Sequence, residues 1–152
     1  MTSTVSFLNS KPHLVVIGNG MVGHHCVEQL IAQGGHDAFN ITVFGEEPYL
    51  AYDRVHLSEY FTGKGAADLA MTDGSLYADN GVRYFTNSLV TEIDRDAKRL
   101  KLHNGEALSY DKLILATGSY PFVPLIPGHK RDNTFVYRTL DDLDAILDCA
   151  KE

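Results

Sequence analysis

The stretch Gly18-Asn19-Gly20-Met21-Val22-Gly23 constrains the fold of this chain more than any other, because of what stands on either side of it. Before it, Leu14, Val15, Val16 and Ile17 form a continuous apolar run without polar alternation, as a central parallel strand covered on both faces requires. After it, Val22, Cys26, Val27, Leu30 and Ile31 recur at helical spacing until Gly34 and Gly35 stop the helix. A Gly-x-Gly-x-x-Gly turn in that setting is a dinucleotide fingerprint. Gly18 permits the tight turn, Gly20 has no Cβ to block a pyrophosphate, and Gly23 lets the helix pack closely on the strand. The helix N-terminus, with Met21 and Val22, then offers free N–H groups and a positive dipole end to phosphate oxygens.

A second apolar run, Ile41 to Phe44, follows at the distance expected for the return strand of a βαβ unit. It ends in Gly45, Glu46 and Glu47, where the fingerprint calls for a carboxylate on the ribose hydroxyls. A carboxylate there repels a 2′-phosphate and favours FAD or NAD over NADP. Either glutamate fits, and the one that misses the ribose is expected to be solvated. Residues 48–65 are mixed and rich in Tyr; Ala66 to Asn80 reads as helical with a break near Gly74, closed by Gly81; Val82 to Phe85 suits a short parallel strand. Between Leu89 and Tyr110 apolar residues alternate around the turn signals Asp94 to Lys98 and Asn104-Gly105, which predicts an antiparallel meander of three strands. Lys112 to Ala116 returns to the buried-strand type. Pro121, Pro124 and Pro127 then exclude helix or central strand, and Thr139 caps a last helix to Lys151 through Leu140, Leu143, Ile146 and Leu147. The fold class is α/β, Rossmann-like, with a central parallel sheet and an antiparallel three-stranded β-meander.

Composition narrows the function. A length of 152 residues allows one core, or one core with a short appendage. The net charge of −7, without a basic stripe, opposes sequence-independent binding of nucleic acid. No apolar run approaches the ~20 residues that cross a bilayer, and no signal-peptide pattern is seen, so a cytoplasmic protein is expected. Cys26 and Cys149 form no disulfide framework or metal site and are expected to be small buried or half-buried thiols. His24 and His25 point about 100° apart on a helix, which opposes joint metal chelation. His13, His36, His56, His103 and His129 read as surface or loop residues.

The late strand Leu113-Ile114-Leu115-Ala116 followed by Thr117-Gly118 completes a pattern that resembles the FAD domain of the pyridine nucleotide-dependent flavoprotein reductases, over residues 13–150. The blocks GNGMVGHH, FGEEP with AYDRVHLS, LATGSYPFVPLIPG and FVYRTLDDLDAI resemble in particular its assimilatory NAD(P)H nitrite reductase branch, at the N-terminus of the large subunit. The resemblance implies an FAD-binding domain in which Ala116, Thr117 and Gly118 pass beside the flavin and its phosphates, and in which the meander replaces a crossover helix. It places Arg54 near the dinucleotide, where the guanidinium can pair with phosphate or stack on adenine; an ion pair with Asp53 is the other reading. It sets Val90 where the family offers backbone hydrogen bonds to adenine, although a core valine reads alike in sequence. Tyr49, Tyr52, Tyr60 and Tyr120 either line the flavin or pack on the core. The region from Ala51 to Phe61 carries no Cys, unlike disulfide reductases, so electrons must leave the flavin for another acceptor. Glu59 stands after Leu57-Ser58 where related reductases commonly carry Lys near the flavin N5, so the resemblance does not extend to that contact.

The implied chemistry is hydride transfer from NAD(P)H to FAD, then single electrons to an iron–sulfur cluster and sirohaem that reduce nitrite to ammonium. The alternatives are an FAD-dependent NADH:rubredoxin or ferredoxin reductase and a non-catalytic FAD-binding module. The expected organisation is a flexible lead at 1–12, the N-terminal part of the FAD domain at 13–120, and a Pro-rich connection and helix at 121–152 leading to a missing NAD-binding domain. The FAD domain is expected to be incomplete at its C-terminus, to fold, to bind FAD weakly and to be inactive alone. Its partners on this reading are the remainder of the polypeptide and a small reductase subunit.

Overall fold

A computed structural model describes residues 11–151; the expected lead at 1–12 therefore lies outside the described residues except for Lys11 and Pro12. The chain runs β1 (His13–Ile17), α1 (Met21–Ala32), α2 (Gly35–Ala38), β2 (Asn40–Phe44), a 3-10 helix (Leu57–Thr62), α3 (Ala66–Leu69), α4 (Ser75–Asp79) and β3 (Arg83–Phe85). It continues through β4 (Val90–Asp94), β5 (Arg99–Leu102), β6 (Ala107–Ser109) and β7 (Lys112–Leu115) to α5 (Leu140–Cys149). One sheet has the order β3-β2-β1-β7, and its three pairings are all parallel. The other is the antiparallel meander β4-β5-β6.

The apolar run of β1 is continuous because the strand is covered on both faces by different material. Leu14 and Val16 join Val27 and Ile31 of α1, Ile41 and Val43 of β2, Tyr77 of α4 and Val82 in one core cluster. Val15 and Ile17 point the other way, to Phe44, Tyr110 and the meander residues Leu100 and Leu102. Alternation along β5 follows from this, since Leu100 and Leu102 are buried and the intervening Lys101 is exposed. The meander thus occupies the layer where a crossover helix would otherwise lie.

Two local expectations change. The helix foreseen over 66–80 is split into α3 and α4, because the chain between them pairs with an earlier segment. Asp53 donates its N–H to Leu69 O at 2.8 Å, and Met71 donates to Ala51 O at 2.8 Å, so residues 69–71 cannot continue a helical ladder. Gly34 does stop α1, in a left-handed conformation, but the chain then makes the further short turn of α2. Side chains also depart from expectation. Cys26 is half-buried as foreseen, whereas Cys149 is exposed near the end of the amphipathic α5. His13 is a half-buried strand residue whose ring meets Ser109 O and Thr42 Oγ1, each at 2.8 Å, rather than a loop histidine.

A third core holds α5. Thr139 Oγ1 accepts the Asp142 N–H at 3.2 Å and the Asp142 carboxylate accepts the Thr139 N–H at 2.8 Å, which fixes where the helix starts. Leu140 and Leu143 are then fully buried against Tyr52, Leu57 and Leu69. Leu143→Ala is expected to cost about 2–5 kcal/mol, from lost burial plus the cavity left behind. Urea unfolding followed by circular dichroism measures it, and a loss under about 1 kcal/mol would show that this helix does not belong to the cooperative unit.

Candidate dinucleotide-binding site

The parallel sheet opens a cavity of about 690 Å³ at the C-terminal ends of β1, β2 and β7. Between β1 and β7 the strand order reverses, and a parallel sheet leaves its ligand crevice at such a point. Ile17 to Val22 form the floor of the cavity, Phe44 to Glu47 and Ser88 to Val90 one side, and Ala116 to Tyr120 the other.

Main-chain bonds to both neighbours set the floor. Gly18 donates its N–H to Phe44 O at 2.8 Å, and Ala116 donates to Ile17 O at 2.7 Å. Gly18 has φ +109°, and a Cβ there would lie 2.1 Å from Ala116 O. A Cβ on Gly23 would lie 1.9 Å from Gly18 O, so this glycine brings α1 against the turn. Gly20 differs from both, since its missing Cβ would meet only Arg54 Nη2, at 4.0 Å. It caps α1 without a side-chain hydrogen bond, and the first-turn amides of that helix have no acceptor within it.

The two glutamates have different roles. Glu47 accepts a hydrogen bond from the Tyr52 hydroxyl at 2.7 Å and pairs with the Arg54 guanidinium. It is therefore a paired and largely buried carboxylate, whereas Glu46 is exposed. Arg54 also donates to Arg138 O at 3.3 Å and lies 4.9 Å over the Tyr52 ring. Its ion partner is thus Glu47 and not Asp53, whose carboxylate caps the Val55 N–H and meets the His56 ring. That contact holds the Asp53 carboxyl below its ordinary range and raises the His56 imidazole above its own. Burial, reinforced by the bond to Glu47, keeps the Tyr52 phenol protonated well above the ordinary range. Glu46 is exposed and, among the described residues, accepts a hydrogen bond from the Tyr120 hydroxyl, whose pKa that carboxylate raises.

Gly18, Gly20, Met21, Val22, Glu46, Glu47, Arg54, Val90, Ala116, Thr117 and Gly118 all border this one cavity. Gly23 packs beneath it instead. Val90 fits both of its readings, as it lines the cavity and also packs against the meander core. Tyr49 and Tyr120 are in the wall, Tyr52 is in the third core, and Tyr60 donates to Asp144 at 2.7 Å, a bond that raises its phenol to about 12. Glu59 pairs with Lys64. His24 turns its Nδ1 to the Tyr77 hydroxyl, while His25 stands exposed beside Glu28.

Arg138 is a wall residue that the sequence reading missed. Its guanidinium lies 5.5 Å over the Tyr120 ring, close to Gly118. Only its position just before the Thr139 cap could have signalled it, and that position carries no chemical rule.

The cavity suits FAD by its own features. It has an open cradle at Gly20, first-turn helix amides that lack an acceptor in their own helix, an exposed carboxylate at the end of β2 and two guanidinium groups, and its size is within the ~300–1,000 Å³ of ligand sites.

Comparison with known proteins agrees with this geometry. The family described as pyridine nucleotide-disulphide oxidoreductase matches residues 12–152. The nitrite reductase [NAD(P)H] large subunit of Klebsiella oxytoca is 50% identical over 137 residues, which is 90% of this chain and 14% of the relative. The nitrite reductase (NADH) large subunit of Escherichia coli (strain K12) is 45% identical over 142 residues, 93% of this chain and 17% of that protein. The crystal structure of NADH:rubredoxin oxidoreductase from Clostridium acetobutylicum superposes with a TM-score of 0.80 at 26% identity, covering 92% of this chain and 36% of that one. The chain thus spans about one-seventh to one-sixth of the length of the two curated relatives.

Proposed function

The chain belongs to the pyridine nucleotide-disulphide oxidoreductase family, and we propose on that premise that it is the FAD-binding part of an NAD(P)H-dependent nitrite reductase large subunit. The observation that carries the FAD site is the single cavity at the strand tips, with the open Gly20 on its floor and Glu46 on its rim. The nitrite reductase assignment is supported by identity of 45–50% to two such subunits. Bound FAD supplies the chemistry that takes a hydride from NAD(P)H and releases electrons one at a time.

The residues of this chain bind and orient. The amides of Gly20, Met21 and Val22 donate to the pyrophosphate. Glu46 accepts the ribose hydroxyls, since Glu47 is already occupied by Tyr52 and Arg54. Glu47 holds Arg54, and Arg138 rests on Tyr120, so that both guanidinium groups balance phosphate charge. Ala116, Thr117 and Gly118 pass beside the flavin. The rest of such a polypeptide would hold the iron–sulfur and sirohaem centre that accepts the electrons, with a small reductase subunit as partner, in the cytoplasm. Among the described residues, no helix is long and apolar enough to cross a membrane.

Flavin fluorescence quenching on titration with the chain tests the site. Binding in roughly the micromolar range is expected, and Glu46→Gln should weaken it about tenfold while Glu47→Gln acts through Arg54. Absence of quenching at saturating chain concentration overturns the FAD site. The likeness to NADH:rubredoxin oxidoreductase favours a second reading, in which the electron acceptor is a separate small protein. The downstream reading frame separates the two, because cysteine-rich cluster motifs belong to the nitrite reductase.

A further inference from the structure

Beneath the glycine turn lies a buried polar chain that core packing does not require. His24, 1% exposed on α1, holds its Nδ1 2.7 Å from the Tyr77 hydroxyl, and that hydroxyl donates to Oδ1 of Asn19 at 3.1 Å. Tyr77 reaches across from α4 and is fully buried among the residues that join α1 to β1 and β2. Asn19 is the second residue of the Gly18–Gly23 turn and is 8% exposed. Its Cβ sits 3.1 Å from where a Cβ on Gly45 would stand, so the side chain is wedged between the turn and the end of β2. Asn19 Nδ2 is shut off from solvent and has no hydrogen-bond partner among the described residues.

A phenol carries one proton. If Tyr77 gives it to Asn19, the Tyr77 oxygen can only accept from His24, and Nδ1 must bear a hydrogen. The charged and titratable groups around the ring are few. Glu28 Oε1 is 3.5 Å from Nε2, His25 follows along the helix, and Tyr77 faces it from α4 with Tyr84 beyond. Burial holds His24 below the ordinary imidazole range, against the upward pull of Glu28, and His25 adds to the depression. Burial thus favours the neutral ring, and a Tyr77 proton given to Asn19 calls for the tautomer that carries its hydrogen on Nδ1.

We propose that His24 and Tyr77 are positioning residues for the dinucleotide turn: the Nδ1-protonated ring aims the tyrosine proton at Asn19, which holds the peptide entering Gly20 in the orientation a pyrophosphate needs. The proposal rests on the FAD reading above and deepens it. Its advantage is preorganisation, since a turn fixed before the ligand arrives loses less freedom on binding. The sequence reading gave Asn19 no role, because the second position of the fingerprint carries no requirement of its own.

Tyr77→Phe keeps the buried ring and removes only the hydroxyl. It is expected to weaken FAD binding about tenfold; Asn19→Ala should do the same, and the double variant should be no weaker than either, because the two groups act through one bond. Nitrogen NMR of the histidine-labelled chain, free of FAD, should show His24 protonated on Nδ1 at pH 7.5 and lose that preference in Tyr77→Phe. Unchanged affinity in Tyr77→Phe, losses that multiply in the double variant, or a wild-type proton on Nε2 would each overturn the proposal. If Tyr77→Phe fails to fold, Asn19→Ala and the wild-type tautomer decide. A wild-type chain that binds no FAD overturns the cofactor reading, a result distinct from a wild type that binds and a variant that binds equally well.

Discussion

Gly20→Val is expected to leave the protein folded and to weaken FAD binding by roughly 100-fold, or about 2.7 kcal/mol. The two halves of that result come from one geometric fact. Space around the missing Cβ is open, with Arg54 Nη2 at 4.0 Å as its one near neighbour among the described residues outside the adjoining chain, so a Cβ there meets the end of a flexible side chain and not backbone. The residue caps α1 in an extended conformation, φ −88°, which valine adopts without strain. The branched side chain then occupies the cradle that a pyrophosphate must enter. Flavin fluorescence and urea unfolding on the same sample read the two effects. Retained binding would mean that the dinucleotide does not cross this turn, whereas lost folding would mean that Gly20 serves the scaffold.

Gly18→Ala is expected to act in the opposite way, by lowering stability roughly 3 kcal/mol or more before any ligand is considered. At φ +109° an L residue is strained, and its Cβ would stand 2.1 Å from Ala116 O and 2.5 Å from the same carbonyl carbon. Neither is the movable end of a side chain. Relief requires β7 to part from β1, along a pairing that runs from Leu14 with Lys112 to Ile17 with Leu115. Urea denaturation measures the loss, and a midpoint within error of the parent chain would show that the turn has another low-energy form. Glycines two residues apart in one motif therefore fail differently, one through the fold and the other through the ligand.

The tight turn at Gly18 and the close packing at Gly23 were legible in the sequence because each follows from a backbone rule. The buried strands were equally legible, since β1 and β2 carry uninterrupted apolar runs, and so was the meander, whose alternation is a two-residue period. What local rules could not supply were interactions between distant residues. The helix over 66–80 was misjudged because pairing with residues 51–53 competes with it, and no pattern inside the segment records that competitor. Glu46 and Glu47 look alike in sequence and are separated only by the reach of Tyr52 and Arg54 to one of them. Arg138 reaches the cavity from far along the chain, through the placement of α5. His24 carries no local signal of its buried hydrogen bond, because its partner Tyr77 lies 53 positions away.

The central position of β1 also bears on how the cavity is assembled. Its pairing with β2 starts at His13 with Asn40, a separation of 40 − 13 = 27 residues, whereas its pairing with β7 joins Leu14 to Lys112, a separation of 112 − 14 = 98. Chain entropy makes the longer closure less favourable by about 1 kcal/mol. The Glu46 side of the crevice is thus built from a short-range βαβ crossover of the chain, while the wall bearing Ala116 to Gly118 waits for the polypeptide to return from the meander. Whatever binds between those walls acts as a clasp on the most distant contact in the sheet.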